Sequence, residues 1–233
     1  PPPSVEPGDN EAPSPAVVPT ATAAATDAQC SKALAGDPTG ATTALADFDG
    51  DGEDDQILVY RVGEDTSEDT WRIRVETVAG ESFDSPLVLE VGSGADPAVL
   101  GGTDIDGDTS TDEIFAVVGA GASTILVAII VRDECELVQA GSGGQAQSFP
   151  VGGSLANIGG LECVAADDGA TESFIAWTGT ADFEAEDGRY VMEGVEYQLR
   201  GSELIEIGLR SVEANIREAD FVYGQLSCGA VNL

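Results

Sequence analysis

The sequence predicts an all-β protein built from three or four antiparallel β-sheet repeats. The first reason is that one nine-residue acidic pattern occurs twice, each time followed by an apolar run of strand length. The second is that short apolar or alternating runs, separated by turn residues, fill the chain from Cys30 onward. Because repeat units bury their apolar faces against their neighbours, we expect one domain over residues 30–233.

The acidic pattern reads D-x-D-G-D-x-x-x-D. Its copies begin at Asp47 and Asp104, 57 residues apart, and run into the apolar segments 56–60 and 113–118. Carboxylates at positions 1, 3, 5 and 9, with a glycine at position 4, can place oxygen atoms around one hard cation, and position 7 would add a backbone carbonyl. Calcium suits such a cage because it accepts about six to eight oxygen ligands in flexible geometry.

The pattern therefore predicts two calcium sites. The expected ligands are Asp47, Asp49, Asp51, Glu53 and Asp55 in the first loop and Asp104, Asp106, Asp108, Ser110 and Asp112 in the second. A helix-loop-helix calcium hand is excluded, because position 12 must be glutamate there and is Leu58 or Phe115 here. Simple Asp-Gly turns are the alternative, but two copies in step with the same downstream strand favour metal binding.

The spacing also predicts a third copy near residue 160. When Glu172 is aligned with Asp112, position 1 becomes Val164 and position 3 becomes Ala166, so two of the carboxylates are missing. We therefore expect the third loop, which contains Asp167 and Asp168, to keep its turn without holding a metal ion.

The two acidic loops resemble the calcium loops of FG-GAP/VCBS-type repeats, the units of integrin-α-like β-propellers. More loosely, the layout is similar to secreted bacterial proteins that carry such repeats and paired cysteines. The resemblance covers about residues 42–180 and implies a calcium-rigidified extracellular scaffold, often adhesive. An integrin-like propeller has more blades than this chain can supply, so we expect a small or incomplete propeller-like array. A β-sandwich with calcium loops is the alternative.

The composition excludes several classes of function. The 233 residues include 43 acidic and 9 basic side chains and no histidine, for a net charge of −34. Such a surface repels nucleic acid and anionic membranes. The absence of histidine removes Ser-His-Asp and Cys-His mechanisms and histidine-ligated metal sites. Lys32 is the only lysine, and the glycine-rich segments match no phosphate-binding loop.

Four cysteines form an even set, which fits an oxidising compartment. They allow three pairings, among which we favour Cys30–Cys135 and Cys163–Cys228. The longest apolar run, residues 124–131, has the length of a strand, so no membrane span is expected. We also expect that a leader segment was removed or omitted, because the sequence begins without methionine and without a signal segment.

Residues 1–29 differ from the remainder of the chain. They contain many Pro, Ala and Thr residues and no aromatic or basic residue, which favours extended segments that cannot bury a core. We interpret them as a linker or tether, with an unstructured tail as the alternative. A lipid-anchored cysteine upstream of Pro1 would explain a tether.

Local patterns also predict individual elements. Residues 71–76 alternate apolar and polar side chains, as a half-buried strand does. Hairpin turns are expected at 119–122, at Asp187-Gly188 and at 200–202, and one or two helical turns near 216–223.

These observations favour a non-enzymatic extracellular protein: a calcium-stabilised binding, adhesion or scaffold module whose partner is a protein or glycan. One alternative is a self-assembling filament or sheath subunit, which would form a homo-oligomer. The other is a calcium-dependent carbohydrate-active enzyme, since a pair of carboxylates can hydrolyse glycosides. No particular pair is singled out by the sequence.

Overall fold

The computed structural model describes residues 30–36, 38–63, 71–90, 96–108, 110–165, 171–182 and 188–233. The expected linker at 1–29, the third-loop residues Asp167 and Asp168, and the turn residue Asp187 lie outside the described residues. None of the described helical residues belongs to a segment that could span a bilayer.

The described chain is all-β apart from one short helical segment. The strands are β1 (Pro38–Ala46), β2 (Asp55–Val62), β3 (Trp71–Glu76), β4 (Ser82–Pro86), β5 (Ala98–Thr103), β6 (Glu113–Ala120), β7 (Thr124–Asp133), β8 (Glu136–Gln139), β9 (Gly141–Ser142), β10 (Gln145–Ala146), β11 (Ser148–Gly153), β12 (Asn157–Ala165), β13 (Thr171–Asp182), β14 (Arg189–Arg200), β15 (Glu203–Asn215), β16 (Leu226–Cys228) and β17 (Val231–Asn232). An α-helical turn, Ile216–Glu218, continues into a π-helical turn, Ala219–Tyr223.

Three four-stranded antiparallel units follow one another along the chain. The first unit is a separate sheet in the order β1-β2-β3-β4, and it contains the predicted strand Trp71–Glu76. The second unit, β5 to β8, and the third unit, β12 to β15, repeat this sequential pairing. In the first two units the acidic loop connects the first strand to the second. The predicted all-β architecture of antiparallel sheets is therefore confirmed.

The second and third units are joined into one 13-stranded sheet. Strand β11 pairs with β7 on one side and with β12 on the other, so it bridges the two units. Neither sheet closes on itself within the described residues, and the finer prediction of a propeller-like array stays a prediction.

Two of the three predicted hairpin turns, those at 119–122 and 200–202, are present. Gly121 N donates to the carbonyl of Thr124 at 2.7 Å between β6 and β7. Arg200 pairs with Glu203, which leaves a two-residue turn in which Gly201 has a φ of 59°. A positive φ of this kind is readily adopted by glycine. The β13–β14 pairing extends to Asp182 and Arg189 on either side of the undescribed residues 183–187.

Strands β6 and β7 are buried on both faces and form the centre of the molecule. Ile114, Ala116 and Ile130 belong to the core that includes the first sheet. The alternating residues Phe115 and Ile129 belong to the core formed with the third unit. Successive side chains of a strand point to opposite faces, which explains why these two runs are apolar at nearly every position.

A third core covers the other face of the third unit. Trp177 and Met192 pack there with Ala219 from the predicted helical turns. The Trp177 and Tyr223 rings meet at a centroid distance of 4.8 Å. A methyl group built on Gly194 would lie 2.7 Å from the Trp177 ring, so the absence of a side chain admits the indole.

Two disulfides cross-link distant parts of the chain, with the pairing favoured from the sequence. Cys30–Cys135 connects the segment before β1 to the turn between β7 and β8. Cys163–Cys228 connects β12 to β16. All four cysteines are therefore disulfide-bonded.

Candidate metal centre

The two acidic loops lie beside each other because their units are adjacent. The first loop, residues 47–55, leaves β1, and the second loop, residues 104–112, leaves β5. Strands β1 and β5 are neighbours, with Val99 N donating to Thr42 Oγ1 at 3.1 Å. The strand ends therefore bring two groups of carboxylates to one region of the surface.

In the first loop, three of the five predicted ligands converge. Asp47, Asp49 and Asp55 each place a carboxylate oxygen within 4.8 Å of the others. Burial raises the pKa of Asp49, and the negative charges of Asp55, Asp51 and Asp47 raise it further. The carboxylates therefore repel one another, and a divalent cation between them would remove that repulsion.

Asp55 organises this loop from a fully buried position. Its Oδ2 accepts hydrogen bonds from Phe48 N at 2.9 Å and Asp49 N at 3.3 Å. Its Oδ1 accepts a hydrogen bond from Val78 N at 2.9 Å. Hydrogen bonds from backbone N–H groups to a carboxylate are charge-assisted and strong. Asp55 therefore fixes positions 2 and 3 of the loop while also facing the carboxylate cluster.

Asp47 provides the observation that tests whether this loop fits a cation. Its Oδ2 accepts a hydrogen bond from Gly52 N at 3.0 Å. Its Oδ1 is buried and has no hydrogen-bond partner. Burying an unsatisfied carboxylate oxygen is costly, and a bound cation would satisfy it. An all-oxygen donor set with a buried free oxygen fits a hard divalent ion.

Asp51 and Glu53 lie outside the three-carboxylate group. Asp51 Oδ1 accepts a hydrogen bond from Glu53 N at 2.8 Å, and both side chains are exposed. Gly50 occupies position 4 with a φ of 73°, where a side chain would be strained. The roles assigned to Asp51 and to the carbonyl of Glu53 stay predictions.

The second loop groups a different set of positions. Asp104, Asp106 and Asp108 each place a carboxylate oxygen within 4.8 Å of the others. Asp104 Oδ1 accepts a hydrogen bond from Gly107 N at 2.6 Å, and Asp106 Oδ1 accepts one from Asp108 N at 3.2 Å. Burial and the charges of Asp108, Asp112 and Asp104 raise the pKa of Asp106.

Asp112, the predicted ligand at position 9, lies outside this three-carboxylate group. Its Oδ1 lies 2.5 Å from Ser110 Oγ, and its Oδ2 lies 3.8 Å from Arg132 Nε. Ser110 Oγ also lies 2.6 Å from Asp108 Oδ1. Because one hydroxyl carries one proton, Ser110 donates to only one of these two aspartates at a time.

Glu113 takes the structural role in the second loop that Asp55 has in the first. It is 3% exposed, and its Oε2 accepts a hydrogen bond from Ile105 N at 2.9 Å. Burial raises the pKa of Glu113 to about 9, and the charges of Asp112, Asp106 and Asp104 contribute to the increase. The sequence prediction missed this residue, although an acid that opens an otherwise apolar strand was the available signal.

The remaining buried charges form a structural group in the first sheet. Asp84 accepts hydrogen bonds from Tyr60 OH, Arg72 Nε and Arg74 Nη1. Burial and the bond to Asp84 raise the pKa of Tyr60 to about 12, so its hydroxyl stays protonated at neutral pH. These groups satisfy one another and leave no free nucleophile or base among them.

We compared the chain with protein-family models, curated proteins and solved structures, and none of the three comparisons found a significant match.

Proposed function

We propose that this protein is a non-enzymatic extracellular module for binding, adhesion or scaffolding, in which calcium locks two adjacent loops. The main support is the geometry of the first loop, where three carboxylates converge and a buried oxygen of Asp47 has no hydrogen-bond partner. The second loop offers three further carboxylates. A bound calcium ion would convert mutual repulsion within each loop into attraction.

The donor chemistry favours calcium over other common ions. Zinc sites rely on histidine and free cysteine, whereas this chain has no histidine and all of its cysteines form disulfides. Magnesium demands near-ideal octahedral geometry and retains several waters. Calcium tolerates the irregular carboxylate arrangement of short loops, which is the arrangement that these residues offer.

The extracellular location is supported by several features together. Two disulfides form and persist in oxidising compartments. A net charge of −34 keeps a protein soluble and away from anionic surfaces. The resemblance to FG-GAP/VCBS-type repeats adds a propeller-like arrangement of the three units to the proposal. In this arrangement, the calcium loops hold neighbouring units in place. The proposed binding partner is an extracellular protein or glycan.

Calcium titration of the chelator-stripped protein tests this proposal. Each occupied site is expected to stabilise the fold by about 2.7 kcal/mol when free calcium is about 100 times Kd, which calorimetry would record as a rise in Tm. Asp49→Asn and Asp106→Asn should each remove part of that rise. Glu206→Gln, which changes an exposed acid of β15 outside both loops, is the matched control. A melting curve unchanged by calcium would contradict the proposal.

One observation favours the self-assembling subunit as a second candidate. Strand β15 pairs with β14 along its length, while its other edge pairs only at Glu203 with Gly141 within the described chain. Leu209 on this strand is 75% exposed. Open strand edges can pair with another chain. Sedimentation velocity with and without calcium would decide, because a monomer at every concentration excludes assembly.

A further inference from the structure

The two acidic loops contact each other through the backbone of a predicted ligand. The carbonyl oxygen of Asp47 accepts hydrogen bonds from Thr111 N at 3.0 Å and from Thr111 Oγ1 at 2.6 Å. Asp47 is position 1 of the first loop, and Thr111 is position 8 of the second. The second loop therefore helps to fix the residue that carries the buried, unpartnered oxygen of the first loop.

Thr111 lies between Ser110 and Asp112 in the chain. Ser110 contacts the carboxylates of Asp108 and Asp112, as described above. Ordering Asp108 around an ion would therefore restrict Ser110 and, through the chain, Thr111. That restriction passes directly to Asp47 because both Thr111 donors point at its carbonyl.

Arg132 of β7 provides a second connection. Its guanidinium carbon lies 5.7 Å from the centre of the Phe48 ring, at position 2 of the first loop. Its Nε lies 3.8 Å from Asp112 Oδ2, at position 9 of the second loop. One side chain thus touches both loops.

The close approach of the two loops depends on glycine. A methyl group built on Gly102 would lie 2.7 Å from the carbonyl oxygen of Thr111 and 2.9 Å from Ala46 Cβ. A methyl group on Gly50 would lie 3.6 Å from Ser110 Cβ. The absence of a side chain at Gly102 therefore lets the end of β1 and the second loop pack directly together, whereas the distance at Gly50 is an ordinary van der Waals contact.

We propose that the two loops bind calcium with positive cooperativity, because ordering either loop pre-organises the other through the Thr111–Asp47 contact and Arg132. This inference rests on the calcium binding proposed above. Charge alone predicts the opposite sign, since an ion in one loop weakens the negative potential at the other. At physiological salt, this electrostatic effect of one bound ion on the other loop is screened over about 8 Å. The sign of the cooperativity therefore distinguishes mechanical coupling from electrostatics.

The test is isothermal titration of chelator-stripped protein with calcium at physiological ionic strength. Asp49→Asn and Asp108→Asn each disable one loop and report the affinity of the other alone. Wild-type protein should bind its second ion at least about fivefold more tightly than these single-site variants predict, a typical allosteric coupling. By linkage, each loop should gain the same factor from the other. If Asp108→Asn fails to fold, Asp106→Asn replaces it.

Two further variants address the contact itself. Thr111→Val removes the Oγ1 donor, and Arg132→Gln removes the guanidinium, while every acidic side chain stays. Each should retain two calcium ions but lower the cooperativity, whereas Thr43→Val, on an exposed position of β1, should leave it unchanged. A wild-type isotherm equal to the sum of the two single-site isotherms overturns the coupling and leaves the calcium sites intact. Failure of all variants and of wild type to bind calcium overturns both proposals.

Discussion

The first and second loops share one nine-residue pattern but are closed by different acids. In the first, Asp55 at position 9 is buried and accepts hydrogen bonds from the backbone at positions 2 and 3. In the second, Asp112 at position 9 is turned toward Ser110 and Arg132, and Glu113 at position 10 accepts the bond from position 2. Equal motifs therefore do not impose equal roles on equal positions.

The difference comes from the register of the strands. Ala46, directly before the first loop, pairs with Asp55, whereas Thr103, directly before the second, pairs with Glu113. The second loop is therefore one residue longer between its paired ends. A one-residue change of register moves every side chain to the opposite face, so the buried acid shifts from position 9 to position 10.

The largest expected effect concerns the two buried acids, Asp55 and Glu113, which contribute differently to the stability of the fold. Asp55→Asn should lower the unfolding free energy of chelator-stripped protein by about 3 kcal/mol, because an amide cannot satisfy all the buried N–H groups that the carboxylate serves. Glu113→Gln should instead raise it at pH 7, by as much as about 3 kcal/mol, because wild-type Glu113 must take up a proton on folding at that pH, whereas glutamine needs no proton and keeps an acceptor for Ile105 N.

Urea denaturation of the two variants beside wild type measures this contrast. Equal losses in the two variants would show that the loops are closed in the same way despite their registers. Asp54→Asn changes an exposed acid adjacent to Asp55 and controls for the loss of one charge from the first loop.

The next effect is a pH dependence specific to the second loop. The pKa of Glu113 is raised from 4.5 to about 9, so the native state holds one more proton than the unfolded state between these values. For this group, stability is fully present below about pH 4.5 and is lost as pH rises toward 9. The loss is at most about 1.4 kcal/mol per pH unit.

Denaturation of chelator-stripped protein from pH 5 to pH 9 measures the slope. Glu113→Gln should flatten the profile, while Glu206→Gln should retain the wild-type slope because Glu206 is exposed and far from the loops in sequence. A Glu113→Gln profile as steep as that of wild type would contradict the assignment of the extra proton to Glu113.

Local sequence patterns were sufficient for much of this structure. Alternation predicted Trp71–Glu76 as a strand, and turn residues predicted the β6–β7 and β14–β15 hairpins. The acidic motif predicted that Asp47 and Asp49 converge in one loop and that Asp104 and Asp106 converge in the other. These features depend on residues close together in the chain, which is why they can be read locally.

Features that depend on pairing between distant parts of the chain could not be predicted from the sequence. The second unit has a register irregularity between Val99 and Gly101, and no residue pattern in the sequence predicts it. The bridging role of β11 between β7 and β12 likewise requires contacts that only the folded chain creates. The acid that opens β6 was visible in the sequence, but the burial of Glu113 depends on the register of β5 against β6.

Position 7 gives the smallest expected difference between the loops. Glu53 and Ser110 were both predicted to contribute a backbone carbonyl, yet only Ser110 places its side chain against neighbouring carboxylates. Ser110→Ala should therefore destabilise chelator-stripped protein by about 0.5 kcal/mol, the low end for a hydrogen bond near the surface. Glu53→Gln should produce no measurable loss, because its exposed carboxylate contributes little.

Urea midpoints of the two variants provide the comparison, and calcium titration should leave both with two sites, since each retains its carbonyl. A loss of one calcium ion in Glu53→Gln would assign a ligand role to the carboxylate of Glu53 and make the two loops differ at position 7 as they do at position 9.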